Sequence, residues 1–372
     1  MSQRENVNPR REQNHRKNSR RYQKRAAARR RRNTIFIMEI VLLLILAVVL
    51  FFMSKLSKIE KTKLDMDKIE VNEDISQESR KIMKGYQTIA MFGLDNRSNG
   101  NLSQGRSDVI MLANINNDTK EVKLVSVYRD TYLDTGDGIF QKCNAAYAKG
   151  GPEQAISMLN VNLDLNITDY VTVDFNSIIE CVDLLGGVDM EITDDEASLM
   201  TGYIRELNEL TGNKAENLTQ GGTYTLNGVQ ACAYARIRYG GGDDYRRTER
   251  QRTVLTAMVK KAQQSDLTTV NKLINEVCGD IQTSFSNAEL LALASQVFQY
   301  SIGDTTGFPF TKTTKVLSKK TGDVVIPCDL SDNVKELHIF LYEDSAYTVS
   351  DTVKQNSEKI VSDTGFKSGD GH

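Results

Sequence analysis

The chain has 372 residues and a formal net charge of −2, but this charge is distributed unevenly along its length. Residues 1–33 contain 13 Lys or Arg and 2 Glu, a net charge of +11, so the remainder carries −13 (34 Lys or Arg against 47 Asp or Glu). The three histidines, at positions 15, 338 and 372, are too scattered for a zinc site or a histidine-based catalytic triad. The five cysteines form no CxxC pair, and their odd number leaves at least one without a disulfide partner in the chain.

The first predicted element is an apolar run directly after the basic arm. Residues 34–53 read TIFIMEIVLLLILAVVLFFM, and only Thr34 and Glu39 interrupt the apolar residues. A helix of this length, at about 1.5 Å per residue, spans roughly 30 Å, the thickness of the hydrocarbon core of a bilayer. A helix buried in a soluble core is the alternative, but such a helix would contain more polar residues. No small-residue cleavage site follows, so the sequence predicts a retained transmembrane helix.

The charges on its two sides predict the orientation of this helix. Basic flanks stay on the cytoplasmic side of a membrane, so residues 1–33 form a cytoplasmic arm and the rest of the chain lies outside the cell. This role accounts for the arm without nucleic-acid binding, so we expect no nucleic-acid partner. We expect a single-pass protein of the cell membrane, with residues 54–84 as an extracellular stalk of mixed charge.

From residue 85 onward, short apolar segments typical of strands alternate with longer segments typical of helices. The predicted strands cover residues 88–94, 109–115, 122–128, 170–175 and 188–192, with closing strands at 313–318 and 323–327. The predicted helices cover residues 151–163, 176–187, 226–237, 245–264 and 287–300. This alternation predicts an α/β domain around a central sheet, spanning residues 85–346, followed by a polar flexible tail at 347–372.

Three of the predicted loops each bring an arginine together with an aspartate. They lie after the first strand, before the second and after the third: Asp95 with Arg97, Arg106 with Asp108, and Arg129 with Asp130. Ligands of α/β sheets bind beyond the strand ends, where these loops lie. Exposed ion pairs of little energetic consequence are the alternative for any one loop. Three such loops together favour a binding site for an anion.

The segment RIRYGGGDDYRRTERQR, residues 236–252, holds six arginines. Asp243 or Asp244 is the expected N-cap of a helix whose first turns contain Arg246, Arg247 and Arg250. Cations are unfavourable at the positive end of a helix dipole, whereas a bound anion is favourable there. Because the planar guanidinium group matches phosphate oxygens, several arginines around one cleft indicate more than one phosphate.

Carboxylates in such a cleft would repel the anion unless a cation lay between them. Asp95 and Asp108 supply the hard oxygen ligands that Mg²⁺ prefers, and Mg²⁺ is usually held by one or two carboxylates together with substrate phosphates. The residues alone therefore predict an outward-facing, Mg²⁺-assisted site for a pyrophosphate.

Seven motifs between Gly85 and Gln264 occur in the order found in a known family. They are GLDNR, GRSDVIML, VYRDTYL, KCNAAYAKGG, DFNSIIECVDLLGGVDMEI, LNGVQACAYARIRY and DDYRRTERQ. On these motifs the chain resembles the LytR-CpsA-Psr family. The resemblance implies an α/β/α fold with a central, mostly antiparallel or mixed sheet. It also implies an enzyme that transfers an anionic glycopolymer (teichoic acid, capsule or secondary wall polysaccharide) from a polyprenyl pyrophosphate carrier to a peptidoglycan hydroxyl.

The resemblance also implies roles for individual residues. Asp95 and Asp108 match positions that hold Mg²⁺. The expected pyrophosphate-binding residues are Arg106, Arg129, Arg236, Arg238, Arg247, Arg250, Gln251, Lys142 and Asn144. The expected catalytic residues are Arg129, Asp130, Arg236 and Arg238, and Asp244 falls on a polar position of the same motifs. The departures are Cys143 and Cys232 at usually apolar positions, and Arg246 where many relatives have glycine.

The expected reaction is attack of a sugar hydroxyl on the phosphate nearest the glycan, with polyprenyl phosphate leaving and Asp130 or Asp95 accepting the proton. Segments 155–163 and 177–185 are candidates for a lipid groove, although ordinary core is the alternative for both. In the loop at 131–141, Tyr132 and Phe140 are candidates for stacking on acceptor sugars, unless the loop is a plain hairpin. A metal-dependent polyprenyl-pyrophosphate hydrolase and a non-catalytic regulator that binds envelope anions remain alternative functions.

Overall fold

The computed structural model describes residues 60–61, 64–94, 102, 105–238, 244–266, 269, 272–273 and 281–371. All of these belong to the second of the two compact units into which the chain divides, residues 56–372. The expected basic arm at 1–33 and transmembrane helix at 34–53 lie outside the described residues, as does Asp95. No helix in the described part is both long enough and apolar enough to cross a membrane.

The described elements alternate between strands and helices along the chain. The strands are β1 (Glu60–Lys61), β2 (Tyr86–Leu94), β3 (Ser107–Asn116), β4 (Glu121–Val127), β5 (Tyr132–Asp134), β6 (Phe140–Lys142), β7 (Asp169–Asp174), β8 (Val188–Ile192), β9 (Gly222–Leu226), β10 (Ile281–Thr283), β11 (Ser301–Phe308), β12 (Lys312–Ser318) and β13 (Gly322–Pro327). The helices are α1 (Gln77–Met83), α2 (Ala145–Leu163), α3 (Phe175–Leu184), α4 (Asp194–Thr211), α5 (Gly228–Arg236), α6 (Asp244–Gln264), α7 (Asn287–Ser295), α8 (Leu330–Tyr342) and α9 (Asp351–Thr364).

The central sheet has the strand order β1-β10-β7-β2-β3-β4-β11 among the described strands. Strands β2, β3 and β4 form an antiparallel meander, whereas β7 is parallel to β2 and β11 is parallel to β4. The sheet is therefore mixed, which confirms the α/β class expected from the alternation of elements and the mixed central sheet that the family resemblance implied.

Both faces of the sheet are covered by packed side chains. Successive side chains of a strand point to opposite faces, so one strand contributes to two cores. In β2, Phe92 points into a large core shared with α2, α8 and α9, whereas Ile89 points into a smaller core on the other face. That second core contains Phe285 and is closed by Leu255 of α6 and Leu290 of α7. The domain is thus a layer of helices, a sheet and a second layer of helices.

A third core joins the elements that carry the arginine-rich segment. It is formed by α3, α4, α5, α6 and the antiparallel strand pair of β8 and β9. The side chain of Asp174 caps α3 by accepting a hydrogen bond from the Ser177 backbone N–H, at a position two residues before the expected Asn176. Capping boxes begin α4, with Thr193, and α5, with Asn227. These caps define where each helix begins and therefore which residues reach the site.

The chain before residue 85 differs from the expected stalk. Ser76 caps α1, and Ile75 and Met83 are buried in the large core. The Nδ2 group of Asn72 donates to the Val161 carbonyl at 2.9 Å, which fastens this segment to α2. Residues 64–84 are therefore part of the packed domain, because their few apolar side chains find a surface on the sheet-covering helices.

The chain after residue 347 also differs from the expected flexible tail. It forms α9, whose Val353 and Ile360 are fully buried at helical spacing beneath a polar exposed face. The ring of Tyr347 stacks on the buried ring of His338 at 3.6 Å, and its hydroxyl donates to Asp164. Although this segment is polar overall, α9 carries a narrow apolar stripe, and burial of that stripe in the large core docks the helix.

Candidate active site

A cavity of about 380 Å³ collects four of the arginines predicted to bind an anion. Its lining combines residues from β3, the loop after β4, α3, α4, the end of α5 and the first turns of α6. The lining residues are Asp108, Val109, Arg129, Phe175, Tyr203, Glu206, Arg236, Arg238, Arg247 and Gln251. We call this space the arginine cavity.

The antiparallel register of β3 and β4 brings together two charged residues far apart in the sequence. Met111 lies opposite Ser126, so continuing the register past the end of β4 places Asp108 opposite Arg129. The Nη1 atom of Arg129 is 2.9 Å from Oδ1 of Asp108. Burial lowers the pKa of Arg129, but the neighbouring carboxylates of Asp108, Asp244 and Asp130 outweigh it, and the net shift of the pKa is upward.

One carboxylate oxygen of Asp244 lies among three guanidinium groups. Its Oδ1 atom is 2.9 Å from Arg247, 3.6 Å from Arg238 and 3.7 Å from Arg129. Asp244 is the first residue of α6, and its other oxygen, Oδ2, has no hydrogen-bond partner in the described part of the chain. The three arginines are thus gathered around a single negative group before any ligand binds.

Arg247 is the most deeply buried of the four arginines. Its Nη2 atom lies 3.4 Å from the Asp108 carbonyl, and its Nε has no hydrogen-bond partner within the described residues. Burial lowers the pKa of Arg247 to about 10, although Asp244 opposes this shift. A buried donor without a partner costs about 1–3 kcal/mol, so a phosphate oxygen at this position would be stabilised.

Arg236, the last residue of α5, also lines the arginine cavity. Its Nη2 atom is 3.2 Å from Oε1 of Glu206, and its guanidinium lies over the rings of Phe175 and Tyr203, 5.1 and 5.7 Å from their centroids. These contacts hold the group in one orientation. Arg238 is less restrained, because its side chain is 41% exposed.

An apolar cavity of about 130 Å³ adjoins the arginine cavity. The two cavities share three lining residues, Val109, Phe175 and Gln251. The apolar one lies between the sheet and the helices α3, α5 and α6. Its other lining residues are Met91, Phe92, Gly93, Leu94, Met111, Val171, Val173, Asp174, Ile178, Cys232, Ala235, Val254, Leu255 and Met258. A cationic cavity that continues into an apolar one suits a ligand with an anionic head and a hydrocarbon tail.

Comparison with known proteins agrees with this geometry. A family model described as the LytR_cpsA_psr family matches residues 46–315, well over half of the chain. The chain belongs to the LytR_cpsA_psr family.

Curated relatives of this LytR_cpsA_psr chain include two named transferases. The Polyisoprenyl-teichoic acid--peptidoglycan teichoic acid transferase TagU of Enterococcus faecalis is 30% identical over 210 residues, 56% of this chain and 64% of the relative. The transferase TagV of Bacillus subtilis, which has the same descriptive name, is 30% identical over 195 residues, 51% of this chain and 48% of the relative. The chain therefore spans between about half and two thirds of the length of these relatives.

Solved structures in the LytR_cpsA_psr family share the fold. TagT bound to LIIa-WTA is 21% identical, with a TM-score of 0.57, and the match covers 75% of this chain and 99% of that chain. A structure of the LytR-CPS2A-psr family protein YwtF (TagT) with bound octaprenyl pyrophosphate lipid is 22% identical, with a TM-score of 0.51, over 70% of this chain and 92% of that chain.

Several residues that the LytR_cpsA_psr resemblance assigned to the pyrophosphate lie outside the lining of the arginine cavity. Arg250 is buried against Oε1 of Glu196 at 3.1 Å and reaches the Ile237 carbonyl at 3.4 Å, so it connects α4 and the end of α5 to α6. This contact positions the chain between Arg236 and Arg238. Arg106 is exposed and lies directly before β3.

Lys142 and Asn144 contact the loop that carries Arg129 rather than the cavity itself. The Nζ atom of Lys142 is 3.1 Å from Oδ1 of Asp130, and the backbone N–H of Asn144 donates to the Arg129 carbonyl at 3.1 Å. The thiol of Cys143 is fully buried against the carbonyls of Tyr128 and Arg129, and burial raises the pKa of Cys143. A buried thiol with a raised pKa suits packing rather than reactivity.

The predicted Mg²⁺ site is only partly within the described residues. Asp108 faces the arginine cavity with a side chain one quarter exposed, which suits a carboxylate ligand, whereas Asp95 lies outside the described part. No group of three or more His, Cys, Asp or Glu side chains placed to hold a metal occurs among the residues described. The metal ligands therefore stay a prediction.

Two expectations about neighbouring segments need correction. Of the candidate lipid-groove segments, 177–185 contributes Ile178 to the apolar cavity, whereas 155–163 lies in the large core on the other face of the sheet.

Tyr132 is buried in the β5–β6 hairpin, donates its hydroxyl to Asp363 of α9 at 3.1 Å and packs against Phe140. It is not available to stack on a sugar, because α9 covers it.

Proposed function

We propose that this protein is a phosphotransferase that moves an anionic glycopolymer from a polyprenyl pyrophosphate carrier to a hydroxyl of peptidoglycan. The observation that carries the proposal is the continuity of the apolar cavity with the arginine cavity through Val109, Phe175 and Gln251. A polyprenyl pyrophosphate has this combination of hydrocarbon chain and charged head. The names of the curated relatives, which act on teichoic acid and peptidoglycan, support the same substrates.

In this proposal the isoprenoid chain enters the apolar cavity and the pyrophosphate binds the arginines. Burial of the hydrocarbon contributes about 0.8 kcal/mol per buried methylene. Arg129, Arg238 and Arg247 turn from the carboxylate of Asp244 toward the phosphate oxygens, so the incoming anion competes with this internal one. The arginine contacts give the head its orientation, because guanidinium groups bind phosphate oxygens in pairs.

The reaction forms a bond between the acceptor oxygen and the phosphorus nearest the glycan. The bond from that phosphorus to the bridging oxygen breaks, and polyprenyl phosphate leaves with the electron pair. Arg129 and Arg247 neutralise the charge that develops on the leaving oxygen. Mg²⁺, held by Asp108 and Asp95, would supply additional charge neutralisation on the phosphates. Asp130, proposed from the sequence as a proton acceptor, is held by Lys142 at 3.1 Å.

Topology is part of the same proposal. The net charge of +11 on residues 1–33 and the apolar run at 34–53 support a location of the domain on the outer side of the cell membrane, where peptidoglycan lies. The carrier lipid would reach the domain from that membrane.

The test supplies the purified full chain with a short carrier-linked glycopolymer and isolated peptidoglycan oligosaccharide. We expect polyprenyl phosphate release that depends on the oligosaccharide, and a phosphodiester between the two glycans detected by mass spectrometry. Carrier consumption at the same rate without the oligosaccharide, yielding a free phosphorylated glycan, would replace the transferase with a hydrolase. Binding of the carrier without any consumption would favour a regulator.

A further inference from the structure

A third cavity, of about 520 Å³, lies on a different face of α6 from the arginine cavity. Arg252, Thr256 and Lys260 line it at four-residue spacing, so they form one stripe along the helix. The facing wall comes from β11, including Gly303 and Thr305. No lining residue is shared with the arginine cavity or the apolar cavity. This space, which we call the rear cavity, is separate from the proposed active site.

An irregularity in β11 shapes the wall of the rear cavity. Ile302 pairs with Val122 and Thr305 pairs with Leu124, so β11 carries one extra residue between these pairs. Such a bulge bends the strand locally. Gly303 lies in the bulge beside the Glu121 side chain, which would have to move to make room for a Cβ.

The rear cavity is lined by a buried arginine, Arg252, that forms no ion pair with a carboxylate among the described residues. Arg252 is 8% exposed, and neither its Nε nor its Nη1 has a hydrogen-bond partner in the part of the chain that the structure describes. Burial lowers the pKa of Arg252, and Tyr128 and Glu249 oppose this shift only in part. Arg247 and Arg250, on the same helix, are paired with Asp244 and Glu196. Arg252 differs from both, because two of its buried donors have no partner among the described residues, which is costly unless the side chain turns them toward an anion in the cavity.

Cationic side chains outnumber carboxylates in the lining of the rear cavity. Arg252, Lys260 and Lys261 stand against one lining carboxylate, Asp189, so the described lining has a net charge of +2. Asp189 is already engaged, because it accepts a hydrogen bond from Thr225 at 2.5 Å and lies 3.4 Å from Nζ of Lys261. Hydroxyl groups of Thr256 and Thr305 add neutral donors, whereas the Thr253 hydroxyl already donates to the Glu249 carbonyl at 3.0 Å. This set of donors matches a phosphate group with a small organic substituent.

We propose that the rear cavity is a second anion-binding site that takes a phosphate group, with the Arg252 guanidinium as its principal ligand. The phosphate belongs either to a free ion or to the phosphodiester backbone of an anionic polymer. The site does not depend on the proposed transferase activity, because it shares no residue with the arginine cavity.

The test measures binding of radiolabelled inorganic phosphate to the full chain in detergent by equilibrium dialysis. Arg252→Met and Thr256→Glu should each weaken binding at one site at least tenfold, whereas Lys214→Gln, which removes an exposed charge elsewhere, should not. Arg238→Gln should affect only binding in the arginine cavity, so failure of the proposed function and failure of the rear site give different patterns. Thermal unfolding of each variant identifies folding defects. Lys260→Gln, at an exposed position, tests the site if Arg252→Met does not fold.

Competition by an oligomer of glycerol phosphate identifies the source of the phosphate. If the oligomer displaces labelled phosphate from the rear site at a concentration at least tenfold lower than unlabelled phosphate requires, the natural ligand is a polymer. Equal potency indicates the free ion. Phosphate binding that is identical in the wild type, Thr256→Glu and Lys260→Gln would overturn the proposal.

Discussion

Arg129 and Arg238 line the same cavity but differ in burial, which makes them a matched pair for substitution. The side chain of Arg129 is 17% exposed and lies 2.9 Å from the Asp108 carboxylate. The side chain of Arg238 is 41% exposed, and the carboxylate oxygen that it approaches among the described residues, on Asp244, is 3.6 Å away. Both are expected to bind the pyrophosphate, whereas only Arg129 also holds the folded structure together. Arg129→Ala and Arg238→Ala should therefore separate loss of binding from loss of stability.

The expected magnitudes follow from these contacts. A charge-assisted hydrogen bond to a phosphate oxygen contributes about 1.5–3 kcal/mol, so either substitution should weaken carrier binding by roughly 10- to 150-fold. Arg129→Ala also leaves Asp108 without its partner, and we expect a loss of about 1–3 kcal/mol in the free energy of unfolding, since both side chains keep some contact with solvent. Arg238→Ala should cost less than about 1 kcal/mol, because its ion pair is long and exposed.

The assay combines carrier binding, measured by titration calorimetry, with thermal unfolding of the same samples. Arg205→Ala is the control, because Arg205 is an exposed arginine on α4, outside the cavity lining. We expect both site variants to lose affinity and only Arg129→Ala to lose several degrees of Tm, at about 2–4 °C per kcal/mol. Wild-type carrier affinity in Arg238→Ala, or an equal fall in Tm for both variants, would refute the reasoning.

Three further predictions concern the metal, the topology and a buried histidine. Asp108→Asn should lower turnover and raise the Mg²⁺ concentration needed for half-maximal activity; an unchanged Mg²⁺ dependence would contradict the metal assignment. Protease added to intact protoplasts should digest residues 54–372 and spare the first 33 residues, and protection of the domain would reverse the orientation. Burial lowers the pKa of His338 to about 4 from an ordinary 6.5, so between these values the unfolded chain binds more protons than the folded one. The contribution of the neutral His338 side chain to the free energy of unfolding is complete above pH 6.5 and falls by up to about 3 kcal/mol as the pH drops toward 4. Denaturant titrations of His338→Phe should show a flatter pH dependence over this range, and an identical slope in both proteins would disprove the assignment.

Local patterns in the sequence predicted most of the elements that build the site. The apolar runs at 88–94, 109–115 and 122–128 became β2, β3 and β4, because a strand covered on both faces needs nearly continuous apolar residues. Gln251 follows Arg247 by four residues, so helical geometry puts both on one face of α6, where they line the same cavity.

The same local reasoning was incomplete where burial depends on a distant segment. Arg250 is three residues from Arg247, yet its guanidinium binds Glu196 on α4. Tyr132 occupies a loop rich in glycine and acidic residues, but α9, more than 200 residues later, buries it through Asp363. Neither partner is visible from the spacing of residues around the arginine or the tyrosine.

The sequence by itself determined the charge asymmetry, the α/β alternation and the set of arginines and aspartates available for an anion site. Only the tertiary structure decided how those charges are paired: Asp244 with three arginines, Arg129 with Asp108, and Arg252 with no carboxylate among the described residues. The physical reason is that the spacing of residue types reflects the geometry of one helix or strand, and this geometry depends on residues that are close together in the sequence. The partner of a buried charge is instead selected by strand register and helix packing, which bring together residues from distant parts of the chain.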